Sequence, residues 1–432
     1  MPLPDHPCRV RRLAAALGSA LLLALGGCSR PDADAPDARQ TRLFLAVALD
    51  RKRDTLDFEF QDQVRAGVEQ AVSSYQAIEP GVRVEVQIYS DSTLESALRR
   101  RNRSGLGPDL LMLWDTLAIE LHQKGLIQSV DLPTAVTEQL IPTTVRKLRL
   151  HDGRLIGLPF GFYPQLACFD RRRIAKSPGT LQELITASAG GLRVGMAIDL
   201  VHLGWSMGGL GLVDDLQSIG RGHGVSPENR EAISRWLDWL SNAGNLHRFT
   251  FFSSAVEPIQ LLTEGKLDWV PCRSHQVNRI QKRMGEHLGV ARLPAGEEGP
   301  ASPSITTMVL SFGTNSSRRQ HRAAKAFAAF AINPQRQRNA TLRTLTVLPV
   351  NRTVKVPTES SSFLEAMQQS RDDALTYSQD DSLISATAPD QATINKALVR
   401  MDGVLTRFLL GDLDRKGATD AVVSVLQGGS GR

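Results

Sequence analysis

Apolar and polar positions along the chain fall into two rhythms that alternate from residue 41 onward. Leu43 to Leu49 is an apolar run of strand length. Val64, Gly67, Val68, Ala71, Val72 and Tyr75 then recur at helical spacing until Pro80 ends the segment. Val82, Val84, Val86 and Ile88 alternate strictly, which predicts a strand after the Pro80-Gly81 turn, and Thr93, Leu94, Ala97 and Leu98 return to the helical period. Gly107-Pro108 introduces a short apolar strand, Leu110 to Leu113, and a helix begins near Asp115 and stops at Gly125. Strand and helix alternate through this third of the chain, the pattern of an α/β fold.

The same punctuation continues. His151-Asp152-Gly153-Arg154 is a turn before Leu155 to Leu158. Thr180-Leu181-Gln182-Glu183 has the spacing of a capping box, in which a hydroxyl and a carboxylate satisfy free amide donors at a helix start. Ser226-Pro227 opens another helix, with Ile233, Trp236, Leu237 and Leu240 near one face and Gly244 just past its end. A strand at Met308 to Phe312 precedes an Ala-rich helix with Ala323, Ala324, Phe327 and Phe330. Residues 391–426 read as two amphipathic helices around a polar turn at 411–417.

The first 40 residues do not belong to this pattern. Arg9, Arg11 and Arg12 precede an apolar run from Leu13 to Gly27, too short for the ~20 residues of a membrane span, which reads as an export signal. It ends in Leu25-Gly26-Gly27-Cys28, which resembles the bacterial lipobox, where cleavage before Cys28 leaves that cysteine to carry lipid. Residues 28–40, rich in Pro, Asp and Ala, then read as a flexible tether. This places the body outside the cytoplasm, anchored to a membrane by lipid alone.

Composition excludes several classes. The 432 residues are 41% hydrophobic and 22% charged, enough for sizeable cores in more than one lobe. Formal charge is +6, and +4 without the three Arg and one Asp of residues 1–27, too little to mark a nucleic-acid-binding protein. The triplets Arg99-Arg100-Arg101 and Arg171-Arg172-Arg173 stand in no nucleic-acid motif and read as solvated faces. No Walker loop, HExxH, CxxC or dinucleotide fingerprint occurs, so no metal and no cofactor is expected. With Cys8 in the signal and Cys28 acylated, Cys168 and Cys272 remain, either paired or as two buried thiols.

From about residue 41 to 430 the chain resembles the extracellular sugar-binding proteins of ABC importers, the maltodextrin-binding-like group. The segments that carry the likeness are Gly107-Pro108-Asp109-Leu110-Leu111 with Trp114-Asp115 and Lys124-Gly125-Leu126-Ile127, then Asp152 to Pro159, then Phe169-Asp170-Arg171. Ser177 to Leu184, Gly265 to Asp268, Arg292 to Gly296, Ala324 to Phe327 and Leu348 to Arg352 follow in the family order. The resemblance implies a two-lobed periplasmic-binding-protein fold, each lobe a sheet flanked by helices. One lobe is expected at 41–159 with 295–346 and the other at 160–294 with 347–432. It implies a noncatalytic, monomeric protein that closes on a mono- or disaccharide or small glycoside and delivers it to a membrane permease. A receptor that informs a sensor is a second reading of the same fold.

Sugars present hydroxyls to amide and carboxylate groups and C–H faces to aromatic rings. The resemblance therefore points to Asp50 and Arg51 after the first strand, Asp91 after the second, Trp114 and Asp115 after the third, and Tyr163 and Gln165 after the first crossing strand. It adds Asp199, His202 and Trp205 before a Gly-rich segment, with Trp205 as the foremost stacking residue, and Arg273 and His275 in the stretch where the family often presents an aromatic. No Trp stands there, which favours a small or polar ligand. Against this stands an enzyme reading: Gly204-Trp205-Ser206-Met207-Gly208 is a literal G-x-S-x-G, and Ser206 with Asp238 or Asp268 and His275 or His321 has the chain order of an α/β-hydrolase triad. The oxyanion segment and core strands of that fold are missing around it.

Overall fold

The computed structural model describes residues 40–49, 58–220, 224–377 and 391–429; Cys28, the signal, the tether to residue 39, Asp50 and Arg51 lie outside them. Nine strands carry the architecture: β1 Thr41–Ala48, β2 Val82–Tyr89, β3 Leu110–Trp114, β4 Gly157–Asp170, β5 Val194–Ala197, β6 Phe249–Phe252, β7 Trp269–Arg273, β8 Leu288–Ala291 and β9 Ile305–Phe312. They join in the order β2-β1-β3-β9-β4-β7-β5-β6, with β8 on β4.

Burial explains which sequence runs become which strands. β3 lies centrally and is buried throughout, so it reads as unbroken apolar sequence, whereas β2 is an edge strand and alternates Val84 inside with Arg83 and Glu85 outside. β1, β2 and β3 are parallel, and the antiparallel β9 returns between β3 and β4. Helices fill the connections: Phe58–Ile78, Asp91–Arg103 and Asp115–Gln123 in the first sheet, and Pro227–Gly244 with Val256–Thr263 between β5, β6 and β7 in the second. Asp91 at the start and Arg100, Arg101 and Arg103 in the last turn complement the dipole of the Asp91–Arg103 helix.

β4 is the backbone of the molecule. Its first half pairs with β9, its second half with β7 on one side and β8 on the other, so a single strand passes from one sheet into the next. Expected only at Leu155 to Leu158, this strand runs 14 residues. In its second half Leu166 and Cys168 face one core, together with Val270, Cys272 and the helices Val277–Met284 and Ser362–Thr376. Ala167 and Phe169 face the other, against Trp269, Trp236 and the helices Pro227–Gly244, Gln391–Leu409 and Arg415–Gly429. Cys168 stands opposite Val270 and Cys272 opposite Leu166, which makes the two cysteines diagonal neighbours on one face; they form a disulfide with Cα atoms 5.8 Å apart.

Two smaller expectations are adjusted. Thr180 Oγ1 accepts from the Glu183 amide at 3.0 Å, but the Glu183 carboxylate reaches back to the Gly179 amide rather than to Thr180. The helix from Pro227 runs through Gly244 instead of ending before it. Among the described residues, no helix is long and apolar enough to cross a membrane.

Candidate functional site

Strand directions place the site before any side chain is considered. β1, β2 and β3 all run towards one edge of the first sheet, and β5, β6 and β7 towards one edge of the second. β4, parallel to β3 and antiparallel to β7, leaves the first edge and enters the second, with Gln165 level with Arg273. The carboxyl edges of both sheets therefore meet along β4, where open α/β sheets bind ligands. Asp91, Trp114, Asp115, Arg273 and His275 stand at or just past strand ends on this edge, and Tyr163 and Gln165 lie within β4 where it crosses.

Four rings gather there. Trp114, at the end of β3, lies 5.3 Å from Tyr163 on β4 and 6.3 Å from His275, just past β7. Phe60, in the first turn of the Phe58–Ile78 helix, stacks on Trp114 at 6.1 Å, meets Tyr163 edge-on at 5.7 Å and contacts His275 at 5.0 Å. Rings from the first sheet, its helix, the crossing strand and the second sheet thus touch one another, and all four are buried. Burial pushes the Tyr163 phenol well above its ordinary pKa, so it stays protonated at neutral pH.

Polar groups surround the rings. Asp115 Oδ2 accepts from Lys147 Nζ at 2.7 Å in a part-buried ion pair, and its Oδ1 from the Thr116 amide at 2.9 Å. The Arg273 side chain is 2% exposed and donates to Thr306 Oγ1 at 3.3 Å, while its backbone amide donates to Gln276 Oε1 at 2.9 Å. Phe60 was not among the residues named from sequence. The signal was there: Phe60 continues the stripe Val64, Val68, Val72 one step of four earlier.

Residues 70–367 match the family described as bacterial extracellular solute-binding protein. This chain belongs to that family. Among solved structures, the solute-binding protein resembles the GacH receptor of Streptomyces glaucescens, known with acarbose, at 15% identity and TM-score 0.69, over 89% of this chain and 97% of that one. It resembles a cyclo/maltodextrin-binding protein complexed with maltotetraose at 15% identity and TM-score 0.68, over 89% and 96%. The maltose-binding periplasmic protein of Listeria monocytogenes gives 14% and 0.67, over 90% and 97%. At these identities the likeness is one of fold, the two-lobed α/β architecture. Among curated proteins none matches the sequence.

The remaining sequence-named residues of the solute-binding protein separate into groups. Asp91 opens the Asp91–Arg103 helix and stands level with Asp115, counting on from the pairs Ala48↔Tyr89 and Val47↔Met112. Asp199 caps the turn Leu200–Leu203 and pairs with His202 Nδ1 at 2.8 Å. Gln165 joins that pair to the crossing segments: its Nε2 donates to the His202 carbonyl at 3.0 Å, and its Oε1 accepts from Ser304. Its amide is thus committed to backbone and hydroxyl partners inside the protein. Trp205 requires correction as a stacking residue. It is 0% exposed and packs at 6.1 Å against both Trp239 and Trp269 in the core of the second sheet, so it offers no face to a ligand.

The serine motif is likewise part of the core. Ser206 is 0% exposed; its hydroxyl donates to the Leu203 carbonyl at 2.8 Å and accepts from Trp236 Nε1 at 2.9 Å, so both its roles are taken by partners inside the core. Asp238 is paired with Arg415 at the surface, and Asp268 with Arg193. The glycines of the motif serve packing: a Cβ at Gly209 would stand 2.5 Å from the Gly296 amide nitrogen, and one at Gly208 2.5 Å from the Pro300 carbonyl. The basic triplets are equally local. Arg99 pairs with Glu95, Arg101 lies over the Phe44 ring at 4.5 Å, Arg172 holds Asp170 and Arg173 lies 3.3 Å from Asp268.

Proposed function

We propose that this solute-binding protein captures a mono- or disaccharide, or a small glycoside, between the facing sheet edges and hands it to the permease of an ABC importer. The observation that carries the reading is the four-ring cluster of Phe60, Trp114, Tyr163 and His275, which unites both sheets at the crossing strand. When the edges separate, these rings become apolar faces suited to sugar C–H groups, with Asp115, Lys147 and Arg273 beside them for hydroxyls. Closure then remakes contacts from both sides, so the ligand shifts the equilibrium towards the closed form. His275 offers a smaller surface than an indole, which suits a short ligand. The carbohydrate ligands of the structural neighbours support the same class.

In this reading the lobes divide at 159/160, 294/295 and 346/347, where β4 slips register between Pro159 and Gly161 and where Phe162 bridges to Leu348. Cys28 holds the lipid, and the importer's permease, rather than a sensor, is the partner. The test is thermal unfolding of the purified protein against sugars, glycosides, polyols and amino acids. A ligand bound only by the native state raises apparent stability by RT ln(1+[L]/Kd). A saturable rise with one sugar class, lost in Trp114→Ala, is the expected result. No rise with any sugar, or a rise undiminished in Trp114→Ala, overturns the reading. The intact mass of the mature protein tests the anchor separately: acyl chains on Cys28, absent in Cys28→Ser.

A further inference from the structure

Behind two of the four rings lies a cavity of about 450 Å³ that the sugar reading leaves without a role. Phe60 and Tyr163 contribute to its wall, and the rest comes from the helices Phe58–Ile78, Arg318–Ala331 and Pro334–Thr344, the sheet beneath them and the crossing segment Thr346–Pro349. Its size falls within the range of small-molecule sites. The deep wall is apolar, with Leu45, Val64, Val68, Met112, Leu310 and Phe327 all buried. The mouth is different: the only charged side chains among the described lining residues are Arg336 and Arg343, and none is acidic. Arg336 is half-buried and held over the Phe330 ring at 4.6 Å, so its guanidinium is positioned at this wall.

A second observation points to a ligand independently of charge. Thr341, five residues along the same helix, lines the cavity and is 2% exposed, yet its Oγ1 has no hydrogen-bond partner among the described residues. The large majority of buried side-chain hydroxyls have a hydrogen-bond partner, and leaving one without a partner is unfavourable. An acceptor entering the cavity would satisfy it.

We propose that this cavity is a second binding site, for an amphipathic monocarboxylate: an alkyl or small aromatic body against the deep apolar wall, the carboxylate accepting from Arg336 and Thr341. The apolar body is required by the lining, the negative charge by the two arginines, and the acceptor by the unpartnered hydroxyl. The cavity shares Phe60 and Tyr163 with the four-ring cluster, but the proposal does not rest on the sugar reading.

Calorimetric titration of the purified protein with octanoate, 1-octanol and octylammonium tests it. Octanoate is expected to bind saturably, octanol about tenfold more weakly and octylammonium more weakly still, because a charge-assisted hydrogen bond contributes about one factor of ten. Arg336→Gln should weaken octanoate about tenfold and leave octanol unchanged. Ala340→Trp, which adds a ring at the exposed rim of the cavity, should abolish both, with far-UV circular dichroism and thermal midpoint confirming the fold. Equal binding of octanoate and octanol, octanoate binding unchanged in Arg336→Gln, or octanoate binding retained in Ala340→Trp, would each overturn the proposal.

Discussion

Asp268 shows how a residue read for one role holds another. Burial works against its ionisation, but the Arg193 guanidinium and amide outweigh it, with Arg173 adding to them, and hold the carboxyl below the ordinary aspartate value. The depressed value means that the stabilisation is present above the unfolded pKa of about 3.9 and is lost as pH falls through the lower folded value. Asp268→Asn should therefore destabilise by about 2–3 kcal/mol at neutral pH, less than a fully buried pair because both arginines reach solvent. Urea unfolding at pH 7 and pH 3 checks this, and a deficit that does not shrink at pH 3 would refute the assignment. Which aspartate has such partners is invisible in sequence, because Arg193 is 75 residues from Asp268. Trp205 failed for the same reason. An aromatic beside glycines is equally suited to a cleft or a core, and only the fold shows that Trp239 and Trp269 enclose it. Trp114 and His275, by contrast, were legible as residues at strand ends, and the fold brings their rings within 6.3 Å of each other.

At the scale of elements, the parallel strands and their helices were legible because each is a short apolar run followed by a 3.6-residue stripe. β4 was not. Pro159 and Pro164 interrupt it, and proline ordinarily argues against a central strand. Both are accommodated at special points: Pro159 beside the register slip and Pro164 where the pairing with β9 ends. The strand's far half is then pinned by the Cys168–Cys272 disulfide, which closes a sequence separation of 104 residues and sits next to the Gln165↔Arg273 pair. Sequence left the pairing open because it supplies no distance between the cysteines. A loop of this length restricts the unfolded chain by about 4–5 kcal/mol in the chain-entropy account, and measured values are commonly about 2–4. Cys168→Ala with Cys272→Ala should lower stability by about 3 kcal/mol in guanidinium unfolding, and reductant should shift the wild-type midpoint towards the variant without moving the variant itself. Coincident wild-type curves with and without reductant, with reduction verified by thiol titration, would show that the crosslink does not contribute.

For the whole molecule, the relation between the two sheets is the property that ligand capture depends on, and no local pattern in the sequence encodes it; the family resemblance supplied it. The structure gives it a physical form. In the proposed division three segments cross between the sheets, at β4, at the start of β9 and at residues 346–350; Phe162 of β4 and Leu348 are locked to each other by reciprocal hydrogen bonds of 2.9 Å. A bend in so paired a ribbon concentrates where pairing is already broken, at the slip between Pro159 and Gly161. Gly161 is needed there for close approach: a Cβ would stand 2.6 Å from Val347 Cγ2. Gly161→Val should push the crossing segments apart and disfavour the closed form, with its Cβ in ordinary contact, 3.9 Å, with the edge of the Tyr163 ring. Apparent affinity falls by the fraction of molecules still able to close, so a tenfold smaller closed population gives a tenfold higher Kd for the sugar identified by the thermal panel. Small-angle scattering with and without that sugar distinguishes this from a simple loss of stability. Wild type should contract on saturation, and Gly161→Val should contract to the same final dimensions but only at proportionally higher sugar concentration. A variant that contracts at wild-type concentrations would place the bending elsewhere in the three crossings.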